Sequence, residues 1–589
     1  MRHKLLWASV AACPILLSAQ IMATPPAHAA PVDGQRVEQA LNSAWPGVST
    51  SWVRLYSPLP PEAGPRPPAC DYVSYLRYRP SGGPRRSADT DAVVTVMPGV
   101  LSGPAQFDSL AAELVRRNYD RGRTVEFWGM QRRSGCYFDR AGLDAAIEAE
   151  DYRVAVDYYF HRKPVHGKTF AGWPTPEATR AMTAVDFAQQ NRDWHTAIAD
   201  AFPDRQQRSQ KVFCGGHSLG ATNLRYFAGT EFGRPDNPDP GFAQCAGFIV
   251  LDSTLTAPSL DPRARTASDD IGTGFANLVS TVGRQRAQAV SMPTADDIPL
   301  AGGALADIMT VFSIAAIGAY FQPDDESQLL RMLPHTPTLE LIIRGLFAAD
   351  HLHLITNNPD VRSFRYTNAA MLGALLDNNS MPVAAAQMSF GSLGGGPLRE
   401  KYLFVPEELA DTPFVGRPLP VIGEPLEKTL LGFGKVAPAD PNALYTWNNY
   451  DHPAAPDLTG RVYSTPQSEH TDIRHLARQL FEGPAMFFDP FFPMAQLNSS
   501  IDVDYSDGPF RRPAVFVYGT AGTVNDTLEM LTPIGEFLSP GTPPLRPRDA
   551  AVGIGYTHLD VLTAAPHQND GRPSATTTAV IDFIGTSTG

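Results

Sequence analysis

The chain has 589 residues, a net charge of −13 and an apolar fraction of 43%. That length allows roughly three or four domains, or one large domain that carries an insertion, and the apolar fraction is ordinary for a globular protein. The negative charge excludes nucleic acid as a partner, because no basic stripe is present to neutralise phosphates; otherwise it implies solubility.

Met1-Arg2-His3-Lys4 is basic and is followed by an apolar stretch reaching Met22, the pattern of a signal peptide. Ala27-His28-Ala29 places cleavage before Ala30, so residues 1–29 are read as a leader to a secreted or periplasmic protein. A lipid anchor at Cys13 is the alternative; it is opposed by the apolar region running past Cys13 and by Pro14 directly after it.

Trp52 to Ser57 and Asp71 to Tyr78 alternate in polarity on either side of a proline-rich loop, and read as two opening strands. Ala92 to Met97 is unbroken in its apolar character, as a strand buried on both faces should be, and ends at Pro98-Gly99. A helical period over Phe107 to Arg117 follows, then a strand over Thr124 to Met130 and a helix from about Thr183 to Phe202. Lys211 to Gly215 and Gly247 to Asp252 are further strands on either side of a helical segment. This is alternating β and α.

The rhythm stops after Ser253. Up to Arg511 the chain is proline-broken and helix-patterned, with segments at Gly274 to Val290, Ala304 to Phe321 and Leu339 to Ala348. It resumes with strands at Pro513 to Gly519 and Ala550 to Gly555 and a closing helix at about Ala575 to Ile584. The expected organisation is therefore one α/β core in two parts, 30–253 and 512–589, split by a mainly helical cap or lid insertion at 254–511. No later segment offers the roughly 18 apolar residues of a membrane-spanning helix. Ile308 to Phe321 comes closest, and reads as a buried helix or as a greasy lid element hinged at Phe390 to Gly396.

Gly216-His217-Ser218-Leu219-Gly220 sits between a strand and a helix. That is the setting of a nucleophile elbow, a strained turn that raises a serine above a sheet and tolerates no bulk two residues to either side. A serine hydroxyl needs a base to take its proton and a carboxylate to hold that base. Of 14 histidines, His558 in Gly555-Tyr556-Thr557-His558-Leu559-Asp560 lies between the last strand and the last helix, and is the candidate base; His567 is the fallback. Asp526 is the first candidate for the acid, by chain order, with Glu529 and Glu536 close behind it. Asp252, at a strand end, is the alternative. The oxyanion that develops in acyl transfer needs two backbone N–H groups, assigned to Leu219 and to Val100 in Pro98-Gly99-Val100-Leu101, with Leu101 next. No Cys or His cluster has metal-site spacing, so no structural metal is expected.

Taken together, the elbow, Pro98-Gly99-Val100 after a buried strand, and the His558 loop resemble the α/β-hydrolase superfamily over about 45–253 and 512–586. Phe127 to Gly135 is similar to that family's D-x-R-G region, with Gln131 in place of the acid. The resemblance implies a mostly parallel sheet with flanking helices, a cap after strand 6, and no cofactor. It also implies that the second strand is antiparallel beside the fourth, which would bring Cys70 and Cys136 together as a disulfide and leave Cys214 and Cys245 apart and reduced.

Serine as nucleophile argues against the aspartate-based dehalogenases and epoxide hydrolases of the fold. Gly-His-Ser-Leu-Gly is closer to lipase and esterase elbows than to those of prolyl-type exopeptidases. The expected function is thus hydrolysis of lipid-like or polymeric carboxylic esters. An exopeptidase, an acyltransferase and an inactive binding protein stand as alternatives.

Overall fold

The long apolar runs become the centre of one nine-stranded sheet. In the computed structural model, which describes residues 34–255, 303–401, 435–449, 469–493, 495–498, 502–523, 551–565 and 573–587, the first seven strands are β1 (Arg36–Leu41), β2 (Val48–Tyr56), β3 (Tyr72–Pro80), β4 (Ala92–Met97), β5 (Val125–Gln131), β6 (Val212–His217) and β7 (Gly247–Leu251). Five short strands follow: β8 (Arg365–Tyr366), β9 (Gly391–Gly394), β10 (Leu398–Glu400), β11 (Val436–Pro438) and β12 (Leu444–Asn449), which form two small separate sheets. β13 (Ala514–Ala521) and β14 (Ala551–Thr557) then return to the large sheet, whose order is β1-β2-β3-β5-β4-β6-β7-β13-β14.

The first three strands and the β3–β5 pair are antiparallel, and every pair from β5 to β14 is parallel. Parallel strands are covered by helices on both faces. Accordingly every residue of β4, β5, β6 and β7 is buried. The order doubles back at β4, which lies between β5 and β6, so the loops after β4 and β6 diverge to opposite faces and leave a crevice at the carboxyl edge. The expected α/β class and the antiparallel strand beside the fourth core strand are both present, as β3 beside β5.

β1 is additional to the sequence expectation. Its only large apolar residues are Val37 and Leu41, and it is held by pairing with β2 and by ion pairs of Arg36 with Asp200 and Glu38 with Arg77. Such contacts across the fold leave no periodic trace in the strand itself.

The described residues between β7 and β13 carry helices together with the five short strands β8 to β12. The helix Gly303–Phe321 packs against the helices Tyr152–His161, Asn368–Leu376 and Ile473–Phe481. Ala306, Ile314, Ala316 and Ile317 are fully buried, so this is a core helix and not an exposed lid. The expected hinge at Phe390 to Gly396 instead contains β9, tied into an antiparallel ladder with β12. The leader at 1–29 and the expected helix at Gly274 to Val290 lie outside the described residues. Among the described residues no helix is long and apolar enough to cross a membrane.

Cys70 and Cys136 form a disulfide with Cα atoms 5.1 Å apart. Cys214 and Cys245, expected to be reduced, form a second one at 5.8 Å. The expectation assumed that Cys245 continues the line of β7 backwards, beyond disulfide reach. Instead the chain arrives through a 3-10 turn at Gly241–Gln244, and the Ala246 N–H bonds to the Val212 carbonyl at 2.6 Å, which folds Cys245 back towards β6.

Candidate active site

Three residues at the carboxyl edge of the sheet hold left-handed backbone without being glycine: Leu101 after β4 (φ 53°), Ser218 after β6 (φ 54°) and Asp252 after β7 (φ 42°). Such strain costs about 1–3 kcal/mol per residue and persists only where the surroundings impose it. At Ser218 the surroundings are backbone. A Cβ on Gly216 would stand 2.2 Å from the Gly220 carbonyl, and one on Gly220 would stand 2.1 Å from the Met97 carbonyl at the end of β4. The glycines are therefore required because strand, turn and helix touch main chain to main chain. The Ser218 N–H donates to the Leu251 carbonyl (3.1 Å), and the helix Leu219–Gly229 starts at the next residue. With this turn on that strand order, the architecture is settled. It is an α/β-hydrolase fold.

In this α/β-hydrolase fold Asp252 occupies the end of β7 and is buried. One carboxylate oxygen accepts from the Gly519 N–H (3.2 Å); the other accepts from the Thr523 N–H (3.1 Å) and hydroxyl (3.3 Å). That second oxygen also meets Nδ1 of His558 at 2.5 Å. A carboxylate accepts only, so the ring donates through Nδ1, and Nε2 is the nitrogen turned away from Asp252. Asp526, the first candidate acid, lies outside the described residues, as do Glu529, Glu536 and His567. The carboxylate on the His558 ring is the alternative, Asp252.

His558 follows β14 and is held from two sides. Its carbonyl accepts from Nε2 of His217 (3.0 Å), and the two rings lie 4.4 Å apart between centroids. Burial and the neighbouring His558 drive the His217 pKa well below the ordinary histidine value, so His217 is neutral and its proton sits on Nε2. Two residues on, the buried Asp560 accepts from the Thr557 N–H (2.9 Å) and hydroxyl (2.8 Å), the Ser389 N–H (2.9 Å) and hydroxyl (2.6 Å), and the Thr471 hydroxyl (2.9 Å). Ser389 and Thr471 belong to the segment between β7 and β13, which thereby fixes the histidine loop.

Sequence reasoning missed both supports. His217 was visible only as the variable position of the elbow, and Asp560 only as the last residue of the quoted histidine run.

The structure brings Ser218, His217, His558 and Asp252 to one edge. Among the described residues the Ser218 hydroxyl makes no hydrogen bond to the His558 ring; His217, next in chain to one and in tilted ring contact with the other, joins them. Leu219 opens its helix, where an N–H has no partner within the helix. Gly99, next to Val100, lies so close that a Cβ there would stand 3.0 Å from the Ser218 Cβ. Phe187, Leu219 and Phe492, with Val100, Leu101 and Tyr226, form an apolar cluster beside these residues. A cavity of about 260 Å³ bordered by Leu41, Tyr78, Asp108, Arg478 and Pro484 is separate, since neither Ser218 nor His558 lines it. Among the described residues no three His, Cys, Asp or Glu side chains converge as metal ligands.

No family model matches the chain, and no curated protein matches it. Similar solved structures include the open form of a lipase, at 11% identity over 94% of this chain and 100% of that one, with a TM-score of 0.27. Carboxyl esterase 2 from Tuber melanosporum is 13% identical over 37% of this chain and 50% of its own, with a TM-score of 0.17. An epoxide hydrolase from Aspergillus niger is 11% identical over 57% and 60% respectively, with a TM-score of 0.18. Likenesses this distant carry no argument; the fold assignment rests on the strand order and the elbow.

Proposed function

We propose that the chain is an exported serine hydrolase of carboxylic esters that works through an acyl-enzyme on Ser218. The observation that carries this reading is the 2.5 Å contact from Asp252 to Nδ1 of His558 beside the strained Ser218 turn. In the proposed cycle Nε2 of His558 takes the Ser218 proton as Oγ attacks the ester carbonyl, and Asp252 stabilises the imidazolium. The oxyanion is held by the Val100 and Leu219 N–H groups. Collapse expels the alcohol, which receives the proton from His558. Water, activated by the same nitrogen, then cleaves the acyl-enzyme. The Ser218–His558 hydrogen bond forms as substrate binds, catalytic contacts often being completed only in the Michaelis complex.

The apolar cluster of Phe187, Leu219, Phe492 and Tyr226 supports an apolar acyl or alcohol group as the preferred substrate element. Two disulfides support an oxidising compartment, in keeping with the leader-like start of the sequence.

The test is steady-state hydrolysis of p-nitrophenyl esters of increasing chain length against matched anilides, with and without a competing alcohol. The expected outcome is ester turnover that rises from acetate to longer chains and falls about 10⁴-fold or more in Ser218→Ala. Preferential anilide cleavage would mark a peptidase, and ester synthesis outpacing hydrolysis would mark an acyltransferase.

A further inference from the structure

Arg132 follows β5, is 1% exposed, and has no carboxylate at ion-pair distance among the described residues. Burial lowers its pKa from 12.5 only to about 10, so it is charged at neutral pH. A buried guanidinium is costly unless its donors are satisfied. Three of its hydrogen bonds go to the main chain of one loop, the one after β4: Nη2 to the Pro98 carbonyl (2.7 Å), and Nη1 to the carbonyls of Gly99 (2.9 Å) and Ser102 (3.1 Å). Nε donates to Gln496 (3.1 Å) and the guanidinium lies 4.8 Å from the Phe492 ring centre, so its own position is fixed by the insertion.

A trans peptide is planar, with its C=O and N–H pointing opposite ways. Holding the Gly99 carbonyl on Arg132 therefore turns the Val100 N–H away from Arg132, and holding the Pro98 carbonyl does the same for the Gly99 N–H. The Gly99 backbone lies against Ser218. The loop is secured on its far side by the Asp489 N–H on the Leu101 carbonyl (2.8 Å) and the Gly103 N–H on the Phe487 carbonyl (2.9 Å). We infer that Arg132 is the positioning residue of the oxyanion loop: by anchoring the carbonyls of Pro98, Gly99 and Ser102 it presets the Val100 N–H for the charge that develops on the substrate. This rests on Ser218 being the nucleophile.

Arg132→Met and Arg132→Lys test it, with folding checked by circular dichroism and melting. The expected result for Arg132→Met is a kcat lowered about 10- to 100-fold, with KM within about threefold and partial recovery in Arg132→Lys. A folded variant with unchanged kcat, or with a loss confined to KM, overturns the inference. A measurement on the unaltered protein decides the matter where the variants do not fold: the structure of its adduct with an alkyl trifluoromethyl ketone, in which Ser218 Oγ adds to the carbonyl carbon and the hydroxyl proton passes to His558. The oxyanion should lie about 3 Å from the Val100 nitrogen with the Gly99 carbonyl still on Arg132. An adduct on Ser218 with that peptide flipped, or with its oxygen elsewhere, overturns the role of Arg132 alone. Failure to form any Ser218 adduct removes the functional reading and this inference together.

Discussion

At the scale of residues, buried charge at the rim of the site sets a pH dependence of stability. Asp489 accepts from the Ser134 hydroxyl (2.5 Å) and the Phe491 N–H (3.2 Å). Burial nevertheless raises its pKa from 3.8 to about 6, with the nearby Arg132 opposing. The folded chain thus holds this proton more tightly than the unfolded chain. The group's contribution is greatest at acid pH, declines as pH rises between the two values, and has become a full cost above the folded one. Asp489→Asn should raise the melting temperature at pH 7.5, by up to about 3 kcal/mol in stability, with the gain vanishing near pH 4; denaturant melts at both pH values check it. The reading of the candidate triad divides at the same scale. Ser218 and His558 were legible because each sits in a short local pattern, a strand-to-helix turn and a loop after the last strand. Asp252 was legible only as an alternative to Asp526, from its place at a strand end, because it meets His558 through the adjacency of β7, β13 and β14, which chain order does not reveal.

At the scale of elements, the elbow is the most constrained part of the fold. Gly220 has no room for a side chain against the Met97 carbonyl, and the listener to any such change is backbone on both sides. Gly220→Ala should destabilise the protein by about 3 kcal/mol or more, or prevent its folding; soluble yield and melting temperature report it, and a near-native melt would contradict the packing described. The central strands β4 and β7 were readable because burial on both faces makes them nearly continuous in apolar residues. β1 was not, since it is a polar edge strand whose side chains are tied by ion pairs to Asp200 and Arg77, far off in sequence. Helix Gly303–Phe321 shows a second ambiguity: an apolar surface on every side is shared by a greasy lid and a core helix, and only the neighbours Tyr152–His161, Asn368–Leu376 and Ile473–Phe481 decide between them.

At the scale of the whole molecule, the described residues between β7 and β13 are built into the site on two sides. Ser389 and Thr471 hold Asp560 beneath the histidine loop, and Phe487 and Asp489 bond to the loop after β4. The two disulfides add cross-links at sequence separations of 66 and 31. In the chain-entropy model each is worth about 4 kcal/mol. Mapping of unreduced peptides should recover Cys70–Cys136 and Cys214–Cys245, and reduction should lower the melting temperature; free thiols at Cys214 and Cys245 would contradict the described path into β7.

The central claim is that Ser218 is an activated nucleophile served by His558 and Asp252. Fluorophosphonate labelling of the purified mature protein, with the modified peptide located by mass spectrometry, tests it most directly. An adduct should form on Ser218, at a rate that collapses in Asp252→Asn and survives in Asp526→Asn. A folded protein that takes no label at Ser218, or that labels as fast without Asp252, would contradict it.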